Sequence, residues 1–392
     1  MARTRTAEVV GAGIGGLTAA TALAQRGWKV RLHERNEEIR AIGAGIYVWG
    51  NGLASLEALG LYDDAVVGAH IGPSLESRDH HGRTVERIDI NGPGQPRVKT
   101  IMRDRLIGAL VDGAVRAGVD IVTGSEITSV DPSGSVVDSA GSTVHADLVV
   151  AADGVNSKIR DAFDLVEERV RMRQGAIRLT VPRSEAFVAP EDAGRYLEFF
   201  SGRRRILYTP SSATTLYVAL VADTDDRPAT QVPVDIETWA RSFPQLETLV
   251  HSLADIPARW DTFEFIKLKS WSVGNVAILG DAAHAQPPYL GQGGGCAMMN
   301  ALGLADTVTL NPGSVADALR TWESRERPTI EHTQRWSYGL RLLNNIPDAA
   351  RSPLLSAGGR IHRLGRSRLR AAMTTPTGYD RFADISQHRK EA

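Results

Sequence analysis

Two glycine-rich segments, far apart in the chain, contain the residue types that bind phosphate groups. In the first the glycines recur with the spacing Gly-x-Gly-x-x-Gly, and in the second three consecutive glycines precede an apolar stretch. Such glycines permit a tight turn, close approach of the backbone to a pyrophosphate and close packing of a helix on a strand. The amide groups at the start of the following helix then favour negative charge. The first segment comprises Gly11, Ala12, Gly13, Ile14, Gly15 and Gly16, and the second ends with Gly293, Gly294 and Gly295.

An acidic residue near the second segment indicates which dinucleotide is bound. Asp281 follows the apolar stretch Val276–Leu279, which predicts a buried strand. A carboxylate at the carboxyl end of such a strand lies where doubly wound sheets bind ligands, and it can accept hydrogen bonds from a polyol. The ribityl chain of a flavin is such a polyol, and the helix start at Gly293–Gly295 would favour the negative charge of a reduced flavin. These features indicate FAD rather than NAD.

The elements that must position the first segment form a βαβ unit. The pattern of apolar residues predicts a strand over Ala7–Val10, a helix over Gly15–Arg26 and a second strand over Lys29–His33. Glu34 follows the second strand directly, where a carboxylate can accept hydrogen bonds from a ribose hydroxyl. The combination of strand, glycine turn, helix, strand and acid predicts a dinucleotide-binding unit.

The rest of the chain predicts an α/β protein with a second, antiparallel domain. Helix and strand patterns alternate over 103–160, including a helix over Leu106–Ala117, and they resume at 276. Between them, Gln174–Lys269 contains short segments rich in β-branched and aromatic residues, interrupted by a helix over about Asp235–Leu253. We therefore expect a discontinuous, Rossmann-like FAD-binding domain with an inserted β-sheet substrate domain and a helical C-terminus. The expected boundaries are 1–73, 98–173 and 271–345 for the FAD-binding domain, 74–97 and 174–270 for the substrate domain, and 346–392 for the tail.

The composition limits the partners. Lys and Arg total 45 against 46 Asp and Glu, which gives no reason to expect a nucleic-acid partner. No segment has the apolar core of a signal peptide or the roughly 20 apolar residues of a membrane span. The single cysteine, Cys296, cannot form an internal disulfide. We expect a cytoplasmic protein that contacts neither nucleic acid nor membrane.

Four other reactive side chains have ordinary structural interpretations. His80-His81 lies at an expected hairpin turn without a third ligand at useful spacing, so no metal site is predicted. Cys296 has no assigned base and is expected to be a small buried residue rather than a nucleophile. His284 is expected to be structural rather than a proton shuttle.

Three separated segments together resemble the aromatic-ring hydroxylase family of single-component FAD monooxygenases, which has the para-hydroxybenzoate hydroxylase fold. They are the glycine segment 11–16, the stretch Asp153–Arg160, and Gly280-Asp281 with the trailing Pro288 and glycines. The resemblance implies an enzyme in which NADH or NADPH reduces non-covalently bound FAD. Reaction with O2 would then give a C4a-hydroperoxyflavin, whose distal oxygen an electron-rich aromatic acid or phenol attacks.

The resemblance also assigns roles to cofactor residues. Asp281 would bind the ribityl chain, Pro288 would lie near the flavin ring, and Arg103 would contact the sugar or phosphate chain. The Asp153 segment is linked to both FAD and the nicotinamide cofactor, and the loop that starts at Gly43 would pass close to the isoalloxazine ring. The complete predicted set is Gly11, Gly13, Ile14, Gly15, Gly16, Glu34, Arg35, Gly43, Ala44, Gly45, Arg103, Asp153, Gly154, Asp281, Pro288, Gly293, Gly294 and Gly295.

A closer resemblance is to the family branch that hydroxylates an aromatic N-heterocycle and then opens its ring. It implies that Arg178, Arg205 and Tyr217 line the substrate pocket together with Pro288, with Arg205 and Tyr217 as catalytic residues. Arginine can hold a carboxylate or phenolate with two hydrogen bonds, and tyrosine can bind a ring substituent. The chain departs from that branch at Leu75, where the branch has a pocket tyrosine.

The expected reaction is hydroxylation of an aromatic or N-heteroaromatic hydroxy or carboxylic acid, with ring opening and the choice of NADH or NADPH left open. Two other functions remain: an FAD-dependent oxidase or reductase that transfers no oxygen, and a non-catalytic flavin-binding redox module. The expected assembly is a monomer or a homodimer.

Overall fold

The computed structural model describes residues 3–41, 45–359 and 361–384. The predicted loop residues Gly43 and Ala44 lie outside the described residues. The strands are β1 Thr6–Val10, β2 Lys29–His33, β3 Gly45–Trp49, β4 Ser74–Arg78, β5 Thr84–Asp89, β6 Val98–Met102, β7 Asp120–Val122, β8 Ile127–Val130, β9 Ser135–Asp138, β10 Thr143–His145, β11 Leu148–Ala151, β12 Val166–Pro182, β13 Tyr196–Ser201, β14 Arg204–Pro210, β15 Thr215–Asp223, β16 Trp260–Leu268, β17 Ser272–Val273 and β18 Val276–Ile278.

Thirteen α-helices have both ends in the same described ranges, residues 379–384 are also helical, and short 3-10 turns join several of the helices. The helices are α1 Ile14–Gln25, α2 Gly50–Ala58, α3 Tyr62–Ala65, α4 Arg103–Arg116, α5 Lys158–Ala162, α6 Arg227–Thr230, α7 Ile236–Ser242, α8 Glu247–His251, α9 Asp281–His284, α10 Gly293–Leu310, α11 Val315–Leu340, α12 Asp348–Gly359 and α13 His362–Arg368.

The N-terminal βαβ unit belongs to a six-stranded sheet with the order β17-β18-β11-β1-β2-β7. Strands β1, β2, β7, β11 and β18 are parallel, and only β17 pairs antiparallel. A parallel sheet is covered on both faces, and the residues of β11 and β18 are accordingly buried. The predicted strands and helix of this unit are confirmed, with helix α1 running over Ile14–Gln25.

The inserted domain contains a seven-stranded sheet with the order β16-β12-β15-β14-β13-β4-β5. Alternate residues of its strands point to opposite faces. One face carries apolar residues such as Leu179 and Val218, which pack in one cluster with Trp239 and Phe243 of the α6–α8 region. The opposite face carries Arg178, Arg205 and Tyr217. Strand β12 is continuous across the predicted boundary at residue 174, and the domain division stays a prediction.

The predicted single helix over Asp235–Leu253 is wrong. The segment forms α7, a 3-10 turn over Pro244–Leu246, and then α8. Pro244 has no backbone N–H and disfavours helical geometry at the preceding residue, and Phe243 has φ −134°. Both pieces nevertheless bury residues in the same apolar cluster.

The C-terminal segment packs back on the seven-stranded sheet and on helix α10. Arg368 of α13 pairs with Glu86 of β5 at 2.7 Å, and Arg381 pairs with the buried Asp306 of α10. The 26-residue helix α11 places Trp322 against Trp271. In the described part of the chain, no helix is long and apolar enough to cross a membrane.

Candidate active site

The glycine turn of the βαβ unit is tight because two of its glycines touch other backbone. A Cβ atom at Gly16 would lie 1.9 Å from the carbonyl oxygen of Gly11, and one at Gly11 would lie 2.5 Å from that of Ala152. Gly11 also has φ +102°, a conformation that favours glycine. No larger residue fits either position without displacement of the backbone.

Gly13, by contrast, faces open space. A Cβ atom there would meet no atom within 4 Å. Helix α1 begins directly after it, with no side-chain cap and no acidic residue in its first turn. The amide groups of the helix start are therefore available to an anion, and the turn fits the pyrophosphate of FAD.

Glu34 lies beside this turn at the end of β2. Its Oε2 accepts a hydrogen bond from the backbone N–H of Ala12 at 3.1 Å, and its Oε1 accepts one from the N–H of Asn36 at 3.0 Å. The carboxylate is thus held where a ribose hydroxyl could reach it. Arg35 is exposed beside it.

The two later motifs are linked by a side chain that sequence reasoning did not assign to the site. Arg160 is fully buried, and its guanidinium donates to the carbonyl oxygens of Val155 at 3.0 Å and Ala282 at 3.2 Å. Burial raises the pKa of Asp153, whose Oδ1 has no hydrogen-bond partner. Gly154 has φ +85°. Arg160 is the last residue of the Asp153–Arg160 motif, and this position could have indicated that it belongs to the site.

The second glycine segment meets the first. A Cβ atom at Gly294 would lie 3.6 Å from Cδ1 of Ile14, and one at Gly15 would lie 3.5 Å from Cβ of Ala297. Gly293 opens to free space, and α10 begins there without a side-chain cap or an acidic first turn. Gly295 packs tightly on Asn51, since a Cβ atom would lie 2.5 Å from its Oδ1. The fold therefore brings two uncapped helix starts together.

Asp281 and Arg103 form part of a cleft between the two sheets. Asp281 is exposed to solvent, yet surrounding protein raises the pKa of its carboxyl, an effect that the nearby Arg103 guanidinium opposes. Burial likewise lowers the pKa of Arg103; the Asp281 carboxylate opposes this shift, and the nearby Arg178 guanidinium adds to it. Side chains that are deeply surrounded but still accessible mark a concave site. We call the site formed by Tyr47, Arg103, Arg178, Tyr217 and Asp281 the central cleft.

Two further predicted cofactor residues flank this cleft. Gly45 of β3 pairs with Met102, the residue before Arg103, and a Cβ atom at Gly45 would lie 2.1 Å from Oγ of Ser211. Pro288 is exposed at the start of the 3-10 turn Pro288–Leu290. The uncapped helix starts, the open space at Gly13 and the cleft acid together fit FAD.

The predicted substrate residues lie on one face of the seven-stranded sheet. Arg178 of β12 pairs with Ala219 of β15. Tyr217 lies two residues before Ala219 on β15, and so on the same face of the sheet. The Arg178 guanidinium contacts Asp261 at 3.4 Å and lies over the Phe263 ring. Burial raises the pKa of Tyr217, an effect that Arg178 and Arg103 oppose. Its hydroxyl is therefore protonated at neutral pH and can donate a hydrogen bond.

Arg205 is more deeply buried than a residue on a sheet surface, with 2% of its area exposed. It donates to Glu198 at 2.6 Å, and its guanidinium carbon lies 4.4 Å from the centre of the Tyr289 ring. Among the described residues, its Nε and one terminal nitrogen have no hydrogen-bond partner. A buried guanidinium with free donors next to Tyr289, the residue after Pro288, can bind an oxygen of a ligand.

Tyr47 is a cleft residue that the residue patterns did not identify. Its hydroxyl lies 2.9 Å from the Oγ1 of Thr209, and burial raises its pKa well above the ordinary value. Its ring packs edge-on against Tyr196. Leu75, the departure from the family branch, packs in the same apolar cluster. This side of the sheet is therefore more apolar than the branch resemblance implies.

The remaining reactive side chains are buried or in turns. Burial lowers the pKa of His284 to about 4 and raises that of Cys296 to about 12, so both are neutral at pH 7. His284 Nε2 lies 3.2 Å from the Nδ2 of Asn300. His80 and His81 stack at the turn between β4 and β5. Among the described residues, no group of three His, Cys, Asp or Glu side chains could hold a metal ion.

Comparison with known proteins agrees with this geometry. Residues 3–337 match the family model described as an FAD binding domain. The chain is 51% identical over 374 residues to a probable 2-heptyl-3-hydroxy-4(1H)-quinolone synthase of Rhodococcus erythropolis, covering 95% of this chain and 97% of the relative. It is 50% identical over 364 residues to the 2-heptyl-3-hydroxy-4(1H)-quinolone synthase of Mycobacteroides abscessus, covering 93% and 97%.

A solved structure has the same architecture. The tetrameric form of 2-methyl-3-hydroxypyridine-5-carboxylic acid oxygenase superposes with a TM-score of 0.86 at 40% identity, covering 96% of this chain and 98% of that one. The chain therefore belongs to the FAD binding domain family of flavoproteins. Within that family it is an FAD-dependent monooxygenase of the aromatic hydroxylase type, as the resemblance predicted.

Proposed function

We propose that this enzyme uses NADH or NADPH and O2 to hydroxylate an N-heteroaromatic ring, and that a 2-alkyl-4(1H)-quinolone is the favoured substrate, with hydroxylation at C3. The observation that carries the proposal is the convergence of Arg178, Tyr217 and Arg103 with Asp281 in the central cleft. Donors for a ring oxygen thus lie beside the residues that fit FAD. The quinolone is favoured because relatives with that name share half of the sequence over nearly the whole chain.

The protein's own contribution is to bind and orient the ring. Bound FAD, once reduced, supplies the activation of O2. Position C3 of a quinolone that carries an oxygen at C4 is electron-rich, because the ring nitrogen donates into it. Hydrogen bonds from Tyr217 and Arg178 to the C4 oxygen would fix that carbon relative to the flavin. Phe263 and Val221, buried in one cluster on this side, help to exclude water.

The cofactor roles follow the same geometry. Gly11, Gly13, Ile14, Gly15 and Gly16 would hold the pyrophosphate with the α1 amides, and Glu34 would bind the ribose. Asp281 and Arg103 would contact the ribityl chain and its neighbouring phosphate, and Gly293–Gly295 would face the ring edge that becomes negative on reduction. A monomer or homodimer and a cytoplasmic location stay predictions; the solved relative was crystallised in a tetrameric form.

A second candidate substrate is a hydroxylated pyridine carboxylic acid. The unpartnered nitrogens of buried Arg205 favour it, because a carboxylate accepts two hydrogen bonds from a guanidinium. The solved relative is named for such a substrate. Leu75 disfavours it, because a leucine in the Tyr47 cluster offers an apolar surface and no hydrogen bond.

The test is substrate-stimulated turnover of the FAD-loaded enzyme. The oxidation of NADH and of NADPH is measured with 2-heptyl-4(1H)-quinolone and with a hydroxypyridine carboxylate, and the molecular masses of the products are determined by mass spectrometry. We expect the quinolone to stimulate oxidation and to gain one oxygen atom with its rings intact. Stimulation by the pyridine acid alone would reassign the substrate. Oxidation that neither compound stimulates would refute the proposal.

A further inference from the structure

A cavity of about 220 Å³ lies at one end of the seven-stranded sheet, near the C-terminal residue of β15 and the 3-10 turn Arg341–Asn345. Most of the charged side chains that line it are cationic. Four guanidinium groups line it, from Arg171, Arg173, Arg203 and Arg341, together with the carboxylate of Asp223.

The carboxylates near this cavity neutralise only some of the positive charges of its arginines. Asp223 is 1% exposed and is ion-paired with Arg203, and Asp225 pairs with Arg173 at 3.0 Å. Arg171 donates instead to the neutral Thr262 hydroxyl at 3.2 Å, and Arg341 stacks on the Tyr338 ring at 3.6 Å. Two of the four guanidinium groups therefore have no acidic partner that the structure shows. Planar guanidinium groups in this arrangement suit phosphate oxygens.

One hydrogen bond links a residue of the cavity wall to the residue that follows Pro288. Gln174 lines the cavity, and its Oε1 accepts a hydrogen bond from the hydroxyl of Tyr289. Tyr289 follows Pro288, which the family resemblance places near the flavin ring. The cavity wall at Gln174 therefore adjoins the Pro288-Tyr289 segment.

The reductant needs a second nucleotide site. The chain has one Gly-x-Gly-x-x-Gly turn within a βαβ unit, and the geometry of that turn fits FAD. NADH or NADPH must therefore bind without such a turn, and a cluster of arginines is another chemistry that binds a pyrophosphate. The cavity is large enough for a phosphate-containing part of the dinucleotide but not for the whole molecule.

We propose that the cavity lined by Arg171, Arg173, Arg203 and Arg341 binds the pyrophosphate of NADH or NADPH during reduction of the flavin. This inference rests on the proposed function, because it requires a dinucleotide reductant. Arg203 is held in place by the buried Asp223, so Arg173 and Arg341 are the members that can be changed without leaving a buried charge unpaired.

The test is anaerobic reduction of the FAD-loaded enzyme by NADH and by NADPH, with the substrate bound. The variant carries Arg173→Gln and Arg341→Gln together, and the control carries Arg320→Gln. Arg320 matches Arg173 because it is exposed and has one acidic partner, Asp317, but it lies on α11 outside the cavity. The dissociation constant of each dinucleotide comes from the concentration dependence of the reduction rate.

We expect the double variant to raise the dissociation constant of the effective dinucleotide about tenfold or more. FAD content, substrate binding and the limiting reduction rate should stay those of the wild type. Inorganic pyrophosphate should compete with the dinucleotide in the wild type and less in the variant. A dissociation constant within about twofold of the Arg320→Gln control would overturn this inference and leave the proposed function intact. Failure of both dinucleotides to reduce the wild-type flavin would overturn the proposed function and this inference with it.

Discussion

The cofactor region and the substrate region hold their functional groups by different means. At the glycine turn, the backbone itself forms the site, and a Cβ at Gly16 would clash with the Gly11 carbonyl at 1.9 Å. On the seven-stranded sheet, the site is made of side chains, and the pairing of Arg178 with Ala219 decides which face they occupy. A site made from backbone restricts residue type strictly, whereas a site made from side chains can change its ligand by substitution. The residue types in the chain therefore identify the cofactor more firmly than they identify the substrate.

The largest effect is expected from filling the glycine turn. Gly16→Ala places a methyl group against the Gly11 carbonyl, so we expect loss of bound FAD and a decrease of about 1 to 3 kcal/mol in the free energy of unfolding. The matched control is Gly108→Ala in α4, where a Cβ would meet nothing within 4 Å. That variant should keep its FAD and be unchanged or slightly stabilised. Flavin absorbance and urea unfolding measure both quantities, and full FAD retention by Gly16→Ala would show that the turn tolerates a Cβ.

The substrate region is tested by removing one hydroxyl. Tyr217→Phe should lower kcat/KM by about tenfold to a hundredfold, because a hydrogen bond to the bound ring is lost, while FAD content stays normal. Tyr208→Phe is the control, since Tyr208 lies on the neighbouring strand but on the opposite, helix-covered face. Equal activities of the two variants would contradict the assignment of the functional face.

A pH experiment tests whether His284, in the Gly280-Asp281 segment, is shielded from protons in the folded state. Burial lowers the pKa of His284 from 6.5 to about 4, so the unfolded chain binds more protons than the folded one between these values. Stability should be complete above pH 6.5 and fall as the pH decreases, by about 2 kcal/mol from this group between pH 7 and pH 5. Urea unfolding at both pH values should show a smaller loss in His284→Gln than in the wild type. An identical loss in both proteins would mean that His284 is accessible to protons in the folded state.

The smallest effect is expected at Arg178, which is partly exposed and already contacts Asp261. Arg178→Gln should raise KM about threefold to tenfold with little change in kcat, because one hydrogen bond to the substrate is weakened in ground state and transition state alike. Steady-state kinetics at saturating O2 measure the two parameters. A large decrease in kcat with unchanged KM would instead make Arg178 a catalytic residue.

The same contrast explains what could be predicted from the sequence. The glycines, Glu34 and Asp281 could be proposed from the sequence because a backbone turn and a strand end leave residue types at fixed spacing, and their cofactor roles stay predictions. The buried link made by Arg160 and the cleft hydroxyl of Tyr47 were not found, because each depends on contacts between distant segments. The prediction of a single helix over Asp235–Leu253 was wrong for a local reason, because Pro244 breaks the helix although the residues on both sides of it are buried. The substrate residues came from the family resemblance, and the structure adds that they share one sheet face.

The central claim, transfer of one atom of O2 to an aromatic ring, is tested most directly with isotope-labelled dioxygen. The FAD-loaded enzyme is incubated with NADH or NADPH, labelled O2 and the quinolone substrate, and the product is analysed by mass spectrometry. The account predicts a hydroxylated product that carries one labelled oxygen atom. A product without label, or consumption of the dinucleotide that yields only hydrogen peroxide, would contradict it.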